Sequence, residues 1–348
     1  MSHLNYAEAG VVGLLQGITE LFPISSLGHA VLIPAIVGGQ WAKDLNVSAK
    51  ESPYLAFIVG LHVATALAMI IFFWRDWIRI IRAFFASLGH FASPEPGTRR
   101  FQPQGTDQTL AWMIILGTIP VGLAGIALEH IFRTVFSKPV LTATFLFVNG
   151  LILLGGERLR RRGADEETRQ VLADQRLAAE RQRATVAAGE YSGGGGRHSS
   201  GQRAVKQEQA GLAVASDQRV TRLGLLTGIG LGATQILALL PGISRDGIVM
   251  VSGMARGLTR QDAARFSFLL SAPVIFAAGL LKIGDLTGPL GNGIRGEVLF
   301  GSILSGIGAY LALRFLVRYL SDASRTLTPF AIYCLAAGLG SFIYLTVR

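Results

Sequence analysis

Long apolar stretches separated by short polar ones run along most of the chain. Six of these stretches contain no Asp, Glu, Lys or Arg. They reach or approach the roughly 17–25 residues that a membrane-spanning helix needs. We expect a transmembrane helix in each of residues 54–74, 111–128, 139–156, 266–281, 298–313 and 326–347.

A further apolar stretch, residues 9–37, is interrupted by a proline. Pro23 disfavours helical backbone at Phe22, so a first helix should stop there. Ser25 or Ser26 is suited to cap a second helix that runs to the end of the stretch. The pattern predicts a re-entrant helix–loop–helix segment that dips into the membrane.

Residues 223–255 show the same character in the second half of the chain. Pro241 and Gly242 should break this stretch, and Ser244 is suited to cap the helix that follows. Irregular backbone at membrane depth is tolerated where it is buried in protein or lines a cavity. We therefore expect a second re-entrant segment, with its loop near the first.

The order of these elements divides the chain into residues 1–156, 157–222 and 223–348. The first and last parts each begin with a broken stretch and continue with three spans. Because three is odd, the second half should enter from the opposite face, as in an inverted-topology repeat. The middle part is basic and then glycine-rich, and its composition predicts a largely flexible cytoplasmic insertion. The predicted fold is an all-α polytopic membrane protein with about six transmembrane helices and two re-entrant segments.

Composition supports a membrane protein, since 50% of residues are hydrophobic and 16% are charged. Soluble domains carry about 25% charged residues. The net charge of +10 could indicate nucleic-acid binding, but its distribution follows topology. With the N-terminus outside, the predicted cytoplasmic loops hold 21 Lys and Arg and the opposite loops hold 5. This asymmetry is typical of a multi-pass membrane protein, and no nucleic-acid partner is expected.

Polar side chains inside the two broken stretches are the strongest functional signal. A charge at mid-bilayer depth costs ~2.5–3.5 kcal/mol on insertion scales and normally faces a partner or a wet cavity. Two such stretches predict one polar site built from both. The polar residues are Gln16, Glu20, Ser25, Ser26 and His29 in the first stretch, and Ser244, Arg245 and Asp246 in the second.

These residue types are suited to phosphate chemistry. The planar guanidinium of Arg245 can grip a phosphate with two hydrogen bonds, and exposed helix N-termini attract anions. Glu20 can bind a divalent cation or orient His29. His29 can exchange protons near neutral pH, and Ser26 is a nucleophile if His29 activates it.

Structural interpretations of the same residues stay open at this point. Glu20 and Arg245 could form a buried ion pair without catalytic function. His29 could be a hydrogen-bonded structural residue, and Ser25 and Ser26 could act only as helix caps. His62, in the stretch 54–74, is interpreted as a packed or cavity-lining histidine.

Several motifs together resemble one known family. They are Q-G-I-T-E-L-F-P-I-S-S-L-G-H at 16–29, L-L-P-G-I-S-R-D-G at 239–247, F-S-F-L-L-S-A-P at 266–273, P-F-A-I-Y at 329–333 and F-F-W-R at 72–75. On these motifs the chain resembles bacterial undecaprenyl-diphosphatase, the bacitracin-resistance protein. The resemblance extends over nearly the whole chain except residues 157–222.

The resemblance implies an enzyme of the bacterial inner membrane. Members of this family have two re-entrant helix pairs and remove the terminal phosphate of undecaprenyl diphosphate on the outer face, with a divalent cation such as Mg²⁺ or Ca²⁺. Such an enzyme recycles the lipid carrier of cell-wall synthesis and confers resistance to bacitracin. The partners would be the polyprenyl diphosphate and membrane lipids, and a homodimer stays open.

Motif positions carry the expected roles onto individual residues. Catalytic roles are expected for four side chains: Glu20, Ser26, His29 and Arg245. Phosphate binding is expected at Arg245 and at the two helix N-termini, which are formed by Ser25, Ser244 and Gly247. A cation would be held by Glu20, with Gln16 and Asp246 as further candidate ligands.

Three residues depart from the family pattern. Gln16 stands where the family often has Glu, Leu27 where it commonly has Thr, and Asp246 where it commonly has Ser. Asp246 could restore the missing carboxylate, or it could weaken Arg245 by pairing with it. The sequence leaves both alternatives open.

Two other classes of function fit parts of the pattern. A transporter or flippase of a lipid phosphate or another anion would also use inverted repeats and broken helices. It needs no proton shuttle or nucleophile, so the Ser26 and His29 pair separates it from an enzyme. A membrane scaffold that recruits partners through residues 157–222 would leave the buried polar site unexplained.

Overall fold

The structure is a computed structural model that describes residues 4–45, 53–92, 103–131, 138–161, 213–281, 293–322 and 324–347. The regular elements in these ranges are all helical. They are α1 (Tyr6–Leu21), α2 (Ser26–Val37), α3 (Gly39–Asp44), α4 (Pro53–Phe72), α5 (Trp74–Ala92), α6 (Gly105–Ile131), α7 (Pro139–Arg161), α8 (Ala213–Arg222), α9 (Leu225–Ala233), α10 (Arg245–Met254), α11 (Arg260–Leu281), α12 (Arg295–Ser321) and α13 (Thr328–Val347). A 3₁₀ helix, Thr234–Leu239, continues α9.

The predicted spans are confirmed as helices. Five of them, α6, α7, α11, α12 and α13, are each long and apolar enough to cross a membrane. The predicted span 54–74 forms α4, which passes the same test together with α5 across a bend of 85°. The prediction of an all-α multi-pass membrane protein is therefore confirmed, while the inverted repeat stays a prediction.

Helix α5 turns away from α4 and carries an apolar stripe on one face. The exposed residues Trp74, Ile78, Ile81, Phe85 and Leu88 recur every three or four positions, so they lie on one side of the helix. Arginines occupy other positions of the same helix. A helix of this kind is typical of the membrane interface.

Close contacts between small residues join the two halves of the chain. A side-chain carbon added to Gly13 in α1 would lie 2.3 Å from the carbonyl oxygen of Gly301 in α12. Reciprocally, one added to Gly232 in α9 would lie 2.3 Å from the carbonyl oxygen of Gly117 in α6. Helices pack this closely in membranes where small residues face each other. The first helix of each broken segment therefore packs against the middle span of the other half.

Helix α8, at the end of the predicted insertion 157–222, is joined to the membrane helices by ion pairs. Asp217 is buried and accepts hydrogen bonds from Arg79 of α5 and Arg265 of α11. Arg219 donates two hydrogen bonds of 2.7 and 2.8 Å to Asp262 of α11. The residues between α7 and α8 lie outside the described residues, and the predicted flexibility of the insertion concerns mainly them.

Candidate active site

The first broken segment has its break where the proline predicts it. Helix α1 ends at Leu21, and Phe22 follows in extended backbone. Ser25 is the N-cap of α2, and its Oγ accepts a hydrogen bond of 3.2 Å from the backbone N–H of Gly28. Ser25 has a φ of 67°, a backbone angle that residues other than glycine rarely adopt. Such strained backbone is frequent at functional sites.

The second broken segment is built in the same way. Its 3₁₀ helix ends at Leu239, and Gly242 has a φ of 111° that favours glycine. Ser244 caps α10 by accepting a 3.1 Å hydrogen bond from the backbone N–H of Gly247. The two loops touch, because the backbone N–H of Gly242 donates to Ser25 Oγ at 3.1 Å.

Glu20 connects the polar side chains of both segments. Its Oε1 accepts a 2.5 Å hydrogen bond from Arg245 Nη2. Its Oε2 accepts hydrogen bonds from the hydroxyl of Ser26 and from the amide of Gln16, the latter at 2.9 Å. Residues predicted to meet from two distant parts of the sequence therefore do meet, around one buried carboxylate.

The imidazole of His29 lies in the same region but contacts other groups. Its Nδ1 donates to the carbonyl oxygen of Ser25 at 2.7 Å, which leaves Nε2 of the neutral ring to accept from the Tyr333 hydroxyl at 2.7 Å. The hydroxyl of Ser26 is hydrogen-bonded to Glu20. In this arrangement the carboxylate adjoins the serine hydroxyl, whereas the sequence suggested the imidazole.

His62 of α4 adds a third helix to the site. Its Nδ1 donates to the carbonyl oxygen of Ile58 at 2.8 Å, and its Nε2 lies 3.3 Å from Gln16 Nε2 and 3.5 Å from Glu20 Oε2. In the neutral ring Nε2 is then an acceptor for the Gln16 amide. Gln16 thus bridges His62 and Glu20. The glutamine that stands where the family often has Glu is therefore hydrogen-bonded to both residues.

Asp246 is hydrogen-bonded to α11. It is buried, and its Oδ1 accepts hydrogen bonds from Ser267 and Ser271 of α11 at 2.6 and 2.7 Å. Among the described residues, Arg245 forms its ion pair with Glu20 and forms none with Asp246. The side chain therefore joins α10 to α11 through two serines.

The donors around Glu20 limit how a divalent cation would be held. Within the described ranges, no group of three or more His, Cys, Asp and Glu side chains is placed to hold a metal ion. Glu20 Oε1 accepts one hydrogen bond from Arg245 and has a second lone pair. Mg²⁺ commonly keeps several waters and binds through one or two carboxylates plus substrate phosphates. These residues fit a cation shared with a phosphate, and they do not form a cage of protein ligands.

A narrow cleft lies between α1, α2 and the start of α4. It is polar toward the loop and apolar toward the other ends of α1 and α2, as an amphiphilic ligand requires. The polar lining residues are Gln16, Thr19, Ser26 and His29, and the apolar ones include Val12, Leu15, Ile33 and Pro34.

Sequence reasoning missed two residues that contact this site, Tyr333 and Asn149. Tyr333 lies in the P-F-A-I-Y motif, which supported the resemblance but received no role. Asn149 is an amide in the apolar stretch 139–156 and is fully buried. A polar side chain in such a stretch is itself a signal, and it could have marked Asn149 as a candidate.

Sequence comparisons with known proteins match nearly the whole chain. The sequence model of the bacitracin resistance protein BacA matches residues 9–181 and 200–340. An undecaprenyl-diphosphatase of Mycolicibacterium paratuberculosis is 54% identical over 347 residues, which cover 100% of this chain and 99% of the relative. Undecaprenyl-diphosphatase 2 of Frankia alni is 51% identical, with 97% of each chain covered. A third relative, undecaprenyl-diphosphatase 2 of Chromobacterium violaceum, is 33% identical over 98% of this chain and 99% of its own length.

The matched residues also extend into the predicted insertion. Only residues 182–199 lie between the two matched parts. The part of residues 157–222 that is foreign to the family is therefore shorter than the sequence motifs suggested. Helix α8 and its ion pairs fall inside the matched part.

Proposed function

The chain belongs to the family of the bacitracin resistance protein BacA, and we propose that its two broken segments together form the catalytic site of this phosphatase. The protein is a membrane phosphatase that converts undecaprenyl diphosphate to undecaprenyl phosphate and inorganic phosphate. It thereby recycles the lipid carrier of cell-wall synthesis. The transporter and scaffold alternatives predict no such chemistry.

Arg245 would bind the terminal phosphate. The 2.5 Å contact with Glu20 places its guanidinium beside the hydroxyl that Glu20 also holds. A guanidinium has five N–H donors, and the hydrogen bond with Glu20 uses one of them. The other N–H groups of Arg245 can donate to the oxygens of a bound phosphate. The N-termini of α2 and α10, at Ser25, Ser244 and Gly247, add backbone donors and the positive ends of two helix dipoles. Positioning and charge stabilisation provide most of the catalysis in phosphoryl transfer.

The contact between Ser26 and Glu20 carries the proposed chemistry. Ser26 Oγ attacks the terminal phosphorus while Glu20, which already accepts its hydrogen bond, takes the proton. The bond from phosphorus to the bridging oxygen breaks, and undecaprenyl phosphate leaves. A water then attacks the phosphoserine and passes its proton through the Tyr333 hydroxyl to His29 Nε2, which accepts a hydrogen bond from that hydroxyl, and the imidazolium afterwards releases the proton to solvent. Glu20 returns its proton to Ser26 Oγ as inorganic phosphate departs.

A divalent cation would bind at Glu20, with help from Gln16, and only together with phosphate oxygens. When bound there, it would neutralise charge on the transferred phosphoryl group. Asp246 is not proposed as a ligand, because its hydrogen bonds with Ser267 and Ser271 direct it toward α11.

We propose that the site opens on the outer side of the bacterial inner membrane. The excess of Lys and Arg in the predicted cytoplasmic loops, 21 against 5, supports the placement of residues 38–53 on the outer side. Tyr54, which follows these residues at the start of α4, lines the cleft. Cysteines introduced at exposed Lys43 and at exposed Arg318 should report opposite sides, and the buried native Cys334 can be kept. A membrane-impermeant maleimide on intact cells should label only the Lys43→Cys protein, and labelling of only Arg318→Cys would reverse the assignment.

Phosphate release from undecaprenyl diphosphate by the purified protein in detergent tests the proposal. Release should require a divalent cation and should be abolished by Glu20→Ala, Ser26→Ala and Arg245→Ala in proteins that remain folded. No release from folded wild type with either Mg²⁺ or Ca²⁺ would contradict the proposal. Near-normal release by Ser26→Ala alone would show that water, and not Ser26, attacks the phosphorus.

A further inference from the structure

Asn149 of α7 touches both re-entrant loops at once. Its Nδ2 donates to the carbonyl oxygen of Pro23 at 2.9 Å, and its Oδ1 accepts from the backbone N–H of Ser244 at 3.0 Å. The same Nδ2 also lies 3.4 Å from Cys334 Sγ of α13. The side chain is fully buried. One amide therefore joins the backbone just before Ser26 to the backbone just before Arg245.

The Pro23 carbonyl and the Ser244 N–H, which Asn149 contacts, require a hydrogen-bond partner outside their own segments. Pro23 and Ser244 lie in irregular loops between half-helices, where regular helical hydrogen bonds are lost. Inside a membrane, unpaired backbone groups are especially unfavourable because no bulk water replaces the lost bond. An amide side chain is suited to this position because it presents one acceptor and two donors in a fixed plane.

We infer that Asn149 is a positioning residue, which fixes the distance between the Ser26 hydroxyl and the Arg245 guanidinium. The inference rests on the proposed function, since those two groups are the ones that act on the phosphate. Asn149 itself is not a catalytic residue, because it contacts the loop backbones. If its amide is replaced by an apolar group, the loops can separate while each segment keeps its own helix caps.

Asn149→Leu tests the inference, because it keeps a side chain of similar size and removes both loop contacts. We expect kcat to fall about 100-fold, the effect of misplacing reacting groups by ~1 Å. Asn149→Gln keeps the amide donor and acceptor but carries them one methylene farther from the helix, so its kcat should lie between wild type and Asn149→Leu.

The matched control is Thr142→Val on the same helix. Thr142 is also buried, and its backbone packs against Gly242 of the second loop. Its hydroxyl makes no hydrogen bond within the described residues. This variant removes a buried polar group from α7 without removing a loop contact, and it should retain the wild-type kcat.

Two readouts separate positioning from general stability. In an Arg245→Lys background, Asn149→Leu should lower kcat less than about fivefold, which is much less than in wild type. The effects of two substitutions on kcat are not additive when one residue acts through the other. Hydrogen exchange at the Ser244 amide should become faster in Asn149→Leu and stay unchanged in Thr142→Val. Independent, additive losses of kcat, or an unchanged kcat in folded Asn149→Leu protein, would overturn the inference.

Failure of the proposed function would be recognised separately. If folded wild type releases no phosphate, the proposed function is wrong, and the exchange rate at Ser244 still measures whether Asn149 holds the loops together. Unchanged exchange in Asn149→Leu would then overturn the positioning role independently.

Discussion

The two broken segments share one backbone plan and carry different side chains. Each is interrupted by a proline, and in each a serine caps the second helix by accepting from a glycine N–H three residues later. The first half-helix of the first segment is α-helical to its end, whereas that of the second segment tightens into a 3₁₀ helix before its break. The first segment presents the Ser26 hydroxyl and the His29 imidazole to the cleft, and it holds the Glu20 carboxylate against that hydroxyl. The second contributes a guanidinium and turns its carboxylate, Asp246, toward α11.

This difference shows that the scaffold and the chemistry are separable. The proline and the serine cap determine where each helix stops and restarts, and these are alike in both segments. The ion pair of the site is divided between the segments, with the Glu20 carboxylate from the first and the Arg245 guanidinium from the second, so neither segment forms this site alone. The proposed catalysis therefore depends on the loops being held together, by the contact of Gly242 with Ser25 and by Asn149.

Removing the positive charge of the second segment should break the site most completely. Arg245→Ala should lower kcat by about 10³-fold or more, as expected for an arginine that stabilises phosphoryl transfer. Phosphate release under saturating lipid measures the loss. The exposed Arg318 offers a control, since Arg318→Ala should leave release unchanged. A comparable loss in that control would point to a general effect of charge.

The ion pair between the two segments should also affect the free energy of unfolding. Arg245→Gln leaves Glu20 as a buried charge without its ion-pair partner, at a cost of about 3–5 kcal/mol. Adding Glu20→Gln removes the unpaired charge, so the double variant should regain most of that loss while remaining inactive. Thermal unfolding in detergent provides the comparison. A double variant less stable than Arg245→Gln would show that the charges are not coupled in this way.

Tyr333→Phe should have a moderate effect, because it removes the donor to His29 Nε2 and leaves the ring in place. A net hydrogen bond is worth about 0.5–1.5 kcal/mol, so kcat should fall about two- to tenfold. The fall should be confined to the proton-transfer steps, and phosphoserine should accumulate in acid-quenched samples. Unchanged kcat would mean that Tyr333 does not orient the imidazole.

Asp246→Asn should have the smallest effect, and it sharpens the contrast between the two carboxylates. The amide oxygen can still accept from Ser267 and Ser271, so kcat should change by less than about fivefold. The cation concentration that gives half-maximal activity should stay the same. A large increase in that concentration would assign Asp246 to the cation and remove the distinction from Glu20.

Much of this architecture could be predicted from the sequence because its signals are local. A proline disfavours helical backbone at the residue before it, so Pro23 and Pro241 favour a break, and Ser25 and Ser244 are suited to cap the helices that follow. Charged groups in apolar stretches require a partner, so the meeting of Glu20 with Arg245 could be expected. The ion pair was also the structural alternative, and it coexists here with the arrangement proposed for catalysis.

The remainder depends on packing between distant helices, which a single sequence does not encode locally. Whether Ser26 would face the Glu20 carboxylate or the His29 imidazole depends on side-chain rotamers around the break. Asn149 and Tyr333 reach the loops only because α7 and α13 pack behind them. The sharp turn into α5 after Phe73 was also not predictable, because no proline or glycine lies near it in the sequence.

The ion pair between Glu20 and Arg245 has a consequence for biogenesis. The two residues are 225 positions apart, so at synthesis rates of ~5–20 residues per second the carboxylate emerges about 10–45 s before its counter-charge. During that interval, Gln16 and Ser26 are the hydrogen-bond donors available within its own segment. These neutral donors can solvate Glu20 in the newly inserted first half until the arginine arrives. The same side chains that surround the proposed catalytic carboxylate in the finished protein would thus stabilise it while the first half inserts into the bilayer.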